Sequence, residues 1–107
     1  MCGLAGILSS QEENNIRESM QRMLDIMIHR GPDGQGIEIF HLKEGNSLAL
    51  GHNRLAIIDT SDAGLMPMSS EDNNHSIVFN GEIFNYKEIK KKCEESGYKF
   101  KSNSDTE

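Results

Sequence analysis

The sequence predicts an α+β fold of mainly antiparallel strands with helices covering a face of the sheet. Three observations carry that reading. Strand and helix signals alternate as strand, helix, strands, helix, strand, without the regular βαβ repeat of a parallel sheet. The strand-like segments 37–42 and 47–52 are separated by only four residues, a hairpin-length connection that makes at least part of the sheet antiparallel. The chain has 107 residues, 36% hydrophobic and without Trp, which suits one domain with a modest core.

Taken in order, Cys2 to Leu8 is small and apolar and reads as a buried strand. Ile16, Met20, Met23, Leu24 and Met27 recur at helical spacing, which predicts an amphipathic helix over Glu13 to Ile28. HRGPDGQG (29–36) holds three glycines and a proline and reads as a loop. Ile37 to Leu42 and Ser47 to His52 are two strands joined by a turn at Lys43-Glu44-Gly45-Asn46. Asn53 to Asp59 is an apolar segment that carries one arginine near its start, and residues 60–74 are polar and turn-rich. Ser76 to Phe79 is a short strand running into Asn80-Gly81. A second helix follows Asn85, a good N-cap, with Tyr86, Ile89 and Cys93 on one apolar face and Gly97 as its stop. Tyr98 to Phe100 reads as the start of another strand.

Charge and length exclude several classes. Lys and Arg total 11 against 17 Asp and Glu, a net charge of −6, which argues against a phosphate-backbone binder. No apolar stretch approaches the roughly 18 residues of a membrane span, and no leader-like segment opens the chain, so the cytoplasm is expected. Cys2 and Cys93 do not form a CxxC unit, and a disulfide between them is not expected in a reducing compartment. His29, His41, His52 and His75 lack metal-ligand spacing, so no metal site is expected.

Four places could carry chemistry. If Met1 is removed, Cys2 becomes the terminal residue and bears both a thiol and a free α-amine. Such an amine titrates at about 7.7–8.0 and a thiol at about 8.5, so the amine can take the thiol proton without a histidine. If Met1 stays, Cys2 is a small strand residue. Asn80-Gly81 offers a side-chain amide and a backbone N–H as oxyanion donors, or is simply an Asn-Gly turn between strands. Arg54 stands alone at the edge of an apolar segment, where its fork could hold a carboxylate, or it reaches solvent or pairs with Asp59. Asp105, in the acidic Ser-Asp-Thr-Glu tail, reads by itself as a solvated surface group. Lys90-Lys91-Lys92 reads as the wet face of the second helix, opposed by Glu94 and Glu95, and Cys93 as an inert packing residue. HRGPDGQG lacks the Lys-Ser/Thr ending of a phosphate-binding loop.

MCGLAGIL, HRGPDGQG, GHNRLAIID, FNGEIFNYKE and SDTE occur in that order. Together they resemble the class II glutamine amidotransferase domain, of the N-terminal nucleophile hydrolase type. More narrowly, HRGPD, RLAIID and NGEIFN are similar to the N-terminal domain of glutamine-hydrolysing asparagine synthetases. The resemblance implies that Cys2 is the nucleophile and that Asn80 and Gly81 form the oxyanion hole. It implies that Arg54 holds the α-carboxylate of glutamine, with Leu55, Ile57 and Ile58 lining the pocket, and that Glu82 and Asp105 hold the α-ammonium. A zwitterionic amino acid needs a cation at one end and an anion at the other, which this set provides.

Further implications concern the parent. Ammonia would pass to a synthetase domain that uses ATP and Mg2+ to activate aspartate, this chain itself needing no cofactor and no metal. Relatives that amidate another carboxylate, and a non-catalytic module of the same ancestry, are the alternatives. Residues 2–107 would form the N-terminal part of the amidotransferase domain, a partial αββα sandwich, with the rest of that domain and the synthetase domain outside it. A sheet face left uncovered would favour association, hence a possible homo-oligomer. Neither nucleic acid nor a membrane is implied as a partner. One departure stands out: Met66 precedes Pro67 where relatives usually carry glutamine.

Overall fold

The structure, a computed structural model, describes residues 1–57 and 59–107. In chain order the regular elements are β1 (Gly3–Ser9), α1 (Glu13–Ile26), β2 (Gly34–His41), β3 (Ser47–Arg54), β4 (Met68–Ser69), β5 (Ser76–Ile77) and α2 (Tyr86–Glu95). The fold class is the α+β arrangement expected. β3 is the centre of a three-stranded sheet of order β1-β3-β2, antiparallel throughout. β4 and β5 form a separate antiparallel pair.

The core lies between α1 and one face of the larger sheet. Ile16, Met20 and Leu24 are buried at helical spacing against Ala5 and Ala49, with Ile7, Met27, Ile37 and Ile39 packed around them. Each fully buried side chain of this size contributes about 1.5–3 kcal/mol. The central strand admits the helix because its facing positions are small. At Gly51 a Cβ would run into the Met20 side chain, so glycine is what lets α1 sit this close. The opposite face carries Leu4 and Leu8, both exposed, beside the half-buried Leu48 and Leu50.

Several boundaries differ from the sequence expectation, each for a physical reason. α1 ends at Ile26, not Ile28, and Ile28–Arg30 forms a 3-10 turn. That turn brings Gly31 against the backbone of Asn53 and Arg54 so closely that a Cβ would not fit. β2 starts at Gly34 rather than Ile37, because its pairing with β3 continues to Gly34 opposite Arg54. β5 stops at Ile77: the Phe79 N–H turns instead to the Met66 thioether (3.3 Å), and the Phe79 carbonyl accepts from His52 (3.2 Å). Tyr98 to Phe100 is not a strand; the two rings pack edge to face at 4.7 Å.

At the start of α2, Asn85 occupies the cap position and its carbonyl accepts the Glu88 and Ile89 N–H groups, but its side chain makes no cap bond. At the end, Gly97 has φ +94°, and Tyr98 N–H bonds Cys93 O while Gly97 N–H bonds Glu94 O, the two-bond stop that a left-handed glycine permits. Among the three lysines, Lys92 pairs with Glu88 (2.8 Å) and Lys91 approaches Glu95 (4.0 Å). Lys90 departs from the expected wet face. Its ammonium donates to Ser102 O (3.0 Å) and lies over the Phe100 ring, tying α2 to the tail.

Candidate active site

Strand register places the first candidate. β1 pairs with β3 so that Gly3 is opposite Asn53, which sets Cys2 beside the residues that follow β3. The half-buried Cys2 Sγ accepts the Leu55 N–H at 3.3 Å. Arg30, from the 3-10 turn, donates through Nε to the Cys2 carbonyl (3.1 Å). The glycine-rich loop therefore works as a brace. Asp33 accepts the Ala56 N–H on its carboxylate (2.9 Å) and donates its own N–H to Arg54 O (2.9 Å).

Arg54 neither reaches solvent nor forms an ion pair with the Asp59 carboxylate. It is 7% exposed, and its guanidinium donates to the carbonyls of Ser61 (2.6 Å) and Asp59. Gly64 lies flat against the same guanidinium, with no room for a side chain. Two carbonyls direct the fork and leave its charge without a carboxylate partner among the described residues. A guanidinium held this way can still offer donors to a carboxylate.

Asn80-Gly81 is not a hairpin turn, since among the described residues no strand follows β5 and the next element is α2. Gly81 sits against the Phe79 ring where a Cβ would clash. Asp105 is half-buried rather than solvated, and its Oδ2 accepts the Ile83 N–H at 2.8 Å. The tail thus meets the segment that carries Asn80, Gly81 and Glu82. A cavity of about 380 Å³ joins these pieces, within the range typical of small-molecule sites. Cys2, Arg54, Leu55, Ile57, Asn80, Gly81, Glu82 and Asp105 all line it. Ile58 lies outside the described residues. Met1 also lines the cavity and is 75% exposed. Among the described residues no group of three or more His, Cys, Asp or Glu side chains is arranged to hold a metal ion.

Two polar groups shape this region in ways not expected from the sequence, His52 and Asp59, the latter expected only as a possible partner of Arg54. His52 is 1% exposed and donates from Nε2 to Phe79 O, just before Asn80; Nδ1 has no partner among the described residues. Burial holds its pKa below the ordinary 6.5. Asp59 is buried, and its carboxyl is held down to about 2 by the Ser61 hydroxyl, then by the Asn103 and Ser61 N–H groups. The buried polar type on an apolar segment was the available signal in both cases.

A glutamine amidotransferase domain family model matches residues 1–107, the whole chain. The chain belongs to the glutamine amidotransferase domain family. Asparagine synthetase [glutamine-hydrolyzing] 1 of Bacillus subtilis is 38% identical to this amidotransferase chain over 110 residues, which is 100% of the chain and 16% of that protein. Putative asparagine synthetase [glutamine-hydrolyzing] 2 of Methanocaldococcus jannaschii is 42% identical over 86% of the chain and 20% of that protein. Amidase chry2 of Gibberella zeae is 31% identical over 100% of the chain and 17% of its own length. The amidotransferase chain therefore spans about a fifth or less of the relatives it matches. No solved structure matches it. The sequence-level resemblance to the amidotransferase domain of glutamine-hydrolysing asparagine synthetases accords with these matches. No helix among the described residues is long and apolar enough to cross a membrane.

Proposed function

We propose that this amidotransferase chain hydrolyses glutamine to glutamate and ammonia through a thioester on Cys2, with Met1 removed. One observation carries the reading: thiol, guanidinium, Asn-Gly pair and two carboxylates, drawn from four separate stretches of sequence, line a single cavity. The α-amine of Cys2 takes the thiol proton, and the thiolate attacks the side-chain carbonyl carbon of glutamine. Charge on the carbonyl oxygen is met by the Asn80 amide and the Gly81 N–H. The Cys2 ammonium protonates the leaving nitrogen, the C–N bond breaks, and ammonia departs. Water then cleaves the glutamyl thioester and restores the thiol. Arg54 receives the α-carboxylate, Leu55 and Ile57 line the pocket, and Glu82 and Asp105 receive the α-ammonium.

The two separate sheets and two α-helices among the described residues support part of an αββα sandwich of the N-terminal nucleophile hydrolase type. The relatives' names and greater lengths support a synthetase domain as partner, to which the ammonia would pass for asparagine synthesis. ATP and Mg2+ would be bound there and not by these residues.

The test is direct. Mass spectrometry of the purified chain is expected to show Met1 missing. Glutamate release is expected to be abolished in Cys2→Ser and slowed about 10²–10³-fold in Asn80→Ala, the scale of a lost oxyanion donor. An intact Met1 leaves the thiol without its base and overturns the mechanism.

A further inference from the structure

We propose that Asp59 is a positioning residue that locks the two ends of the glutamine pocket to each other, an inference that rests on the reading above. Its carboxylate is fully engaged, but not by a cation. Oδ1 accepts the Ser61 N–H (2.8 Å) and the Ser61 hydroxyl (2.6 Å), closing a tight turn over 59–61. That turn aims the main-chain carbonyls of Asp59 and Ser61 at the Arg54 guanidinium. Oδ2 reaches 44 residues along the chain to accept the Asn103 N–H at 2.7 Å. Asn103 stands two residues before Asp105, whose carboxylate holds the Ile83 N–H beside Glu82.

One side chain therefore fixes the turn that orients the cation and the tail that bears an anion. The arrangement also solves an electrostatic problem. A carboxylate placed directly on Arg54 would compete with the substrate's own carboxylate for the fork. Folded back on neutral N–H and O–H donors, Asp59 holds the guanidinium in place through carbonyls and leaves its charge to the ligand. Asn in its place keeps the shape but turns an amide donor toward Ser61 or Asn103, where a donor already stands.

The experiment follows saturable covalent labelling of Cys2 by 6-diazo-5-oxo-L-norleucine, a glutamine-shaped electrophile, read by mass spectrometry on the full chain. In Asp59→Asn the half-saturating concentration is expected to rise about tenfold or more, the scale of lost hydrogen bonds to a charged group. The limiting labelling rate is expected to stay within about twofold, because no reacting atom is touched. Protection by competing ligands reports each end. Glutaramate lacks the α-ammonium and 4-aminobutanamide lacks the α-carboxylate, and the advantage of glutamine over both is expected to shrink in the variant.

Unchanged half-saturation, a fall in the limiting rate alone, or a shrunken advantage over only one of the two ligands overturns the inference. Should Asp59→Asn fail to fold, Ser61→Ala removes only the hydroxyl bond. It is expected to raise the same half-saturating concentration severalfold, and an unchanged value overturns the inference. A wild-type chain that takes no label overturns the glutamine reading and the inference together. A labelled wild type with an unaltered Asp59→Asn overturns the inference alone.

Discussion

Gly64 shows how little space the Arg54 site leaves. A Cβ at this position would meet the guanidinium, and the next contact behind it is the Asp59 side chain. Gly64→Ala is therefore expected to push the guanidinium off its two carbonyls and raise the KM for glutamine by about tenfold, with kcat nearly unchanged, as measured by initial-rate kinetics. The candidate residues are legible one by one because their types are conspicuous: a thiol at position 2, a lone guanidinium, an Asn-Gly pair. Asp105 took its meaning only from the family resemblance. From the sequence Asp59 offers itself only as an ion-pair partner for Arg54, because its contact with Asn103 has no local signature.

Among the elements, α1 and the start of β3 are readable because burial follows period: Ile16, Met20 and Leu24 for the helix, alternation over 47–50 for the strand. β2 is half-buried along most of its length and is legible from its apolar residues and the short turn that follows. Met20 is the test. It is fully buried on the Gly51 side of the helix, and Met20→Ala is expected to cost about 2–5 kcal/mol, measured by urea denaturation. A smaller loss would show that the helix can settle onto the strand and refill the space. The short elements were not readable. β4 and β5 hold two residues each, too few for any period, and the apolar Tyr98 to Phe100 segment reads as a strand although its rings pack on each other and Phe100 lies under Lys90. The segment 29–36, expected as a loop, is irregular only over 31–33, between the 3-10 turn and β2, and its bracing of Cys2 and Ala56 depends on contacts made across the sheet end.

At the scale of the whole molecule, ionisation links folding to pH. His52 has a folded pKa below 6.5, so the unfolded chain binds its proton first as pH falls. Its contribution to stability is complete above that value and is lost as pH drops through the lower folded pKa. Asp59, at about 2 against an ordinary 3.8, acts in the same direction further down: its contribution is present above about 3.8 and lost as pH falls toward 2. Thermal midpoints are expected to decline in two stages on acidification, followed by circular dichroism. His52→Gln, which can still donate to Phe79 O, is expected to flatten the upper stage and leave the lower one. A single acid transition in the wild type would contradict this assignment.

The sheet's central strand has a consequence for misfolding. Along β3 successive side chains go to opposite sides: Asn53 donates to Leu24 O on the helix side, while His52 and Arg54 serve the cavity side. A slip of one position would carry the guanidinium under α1 and present an amide to the ligand. Such a molecule could retain most of its secondary structure and still recognise nothing. Quality control of this protein is thus better judged by ligand protection than by spectroscopic content, since only the former detects which way a single ribbon faces.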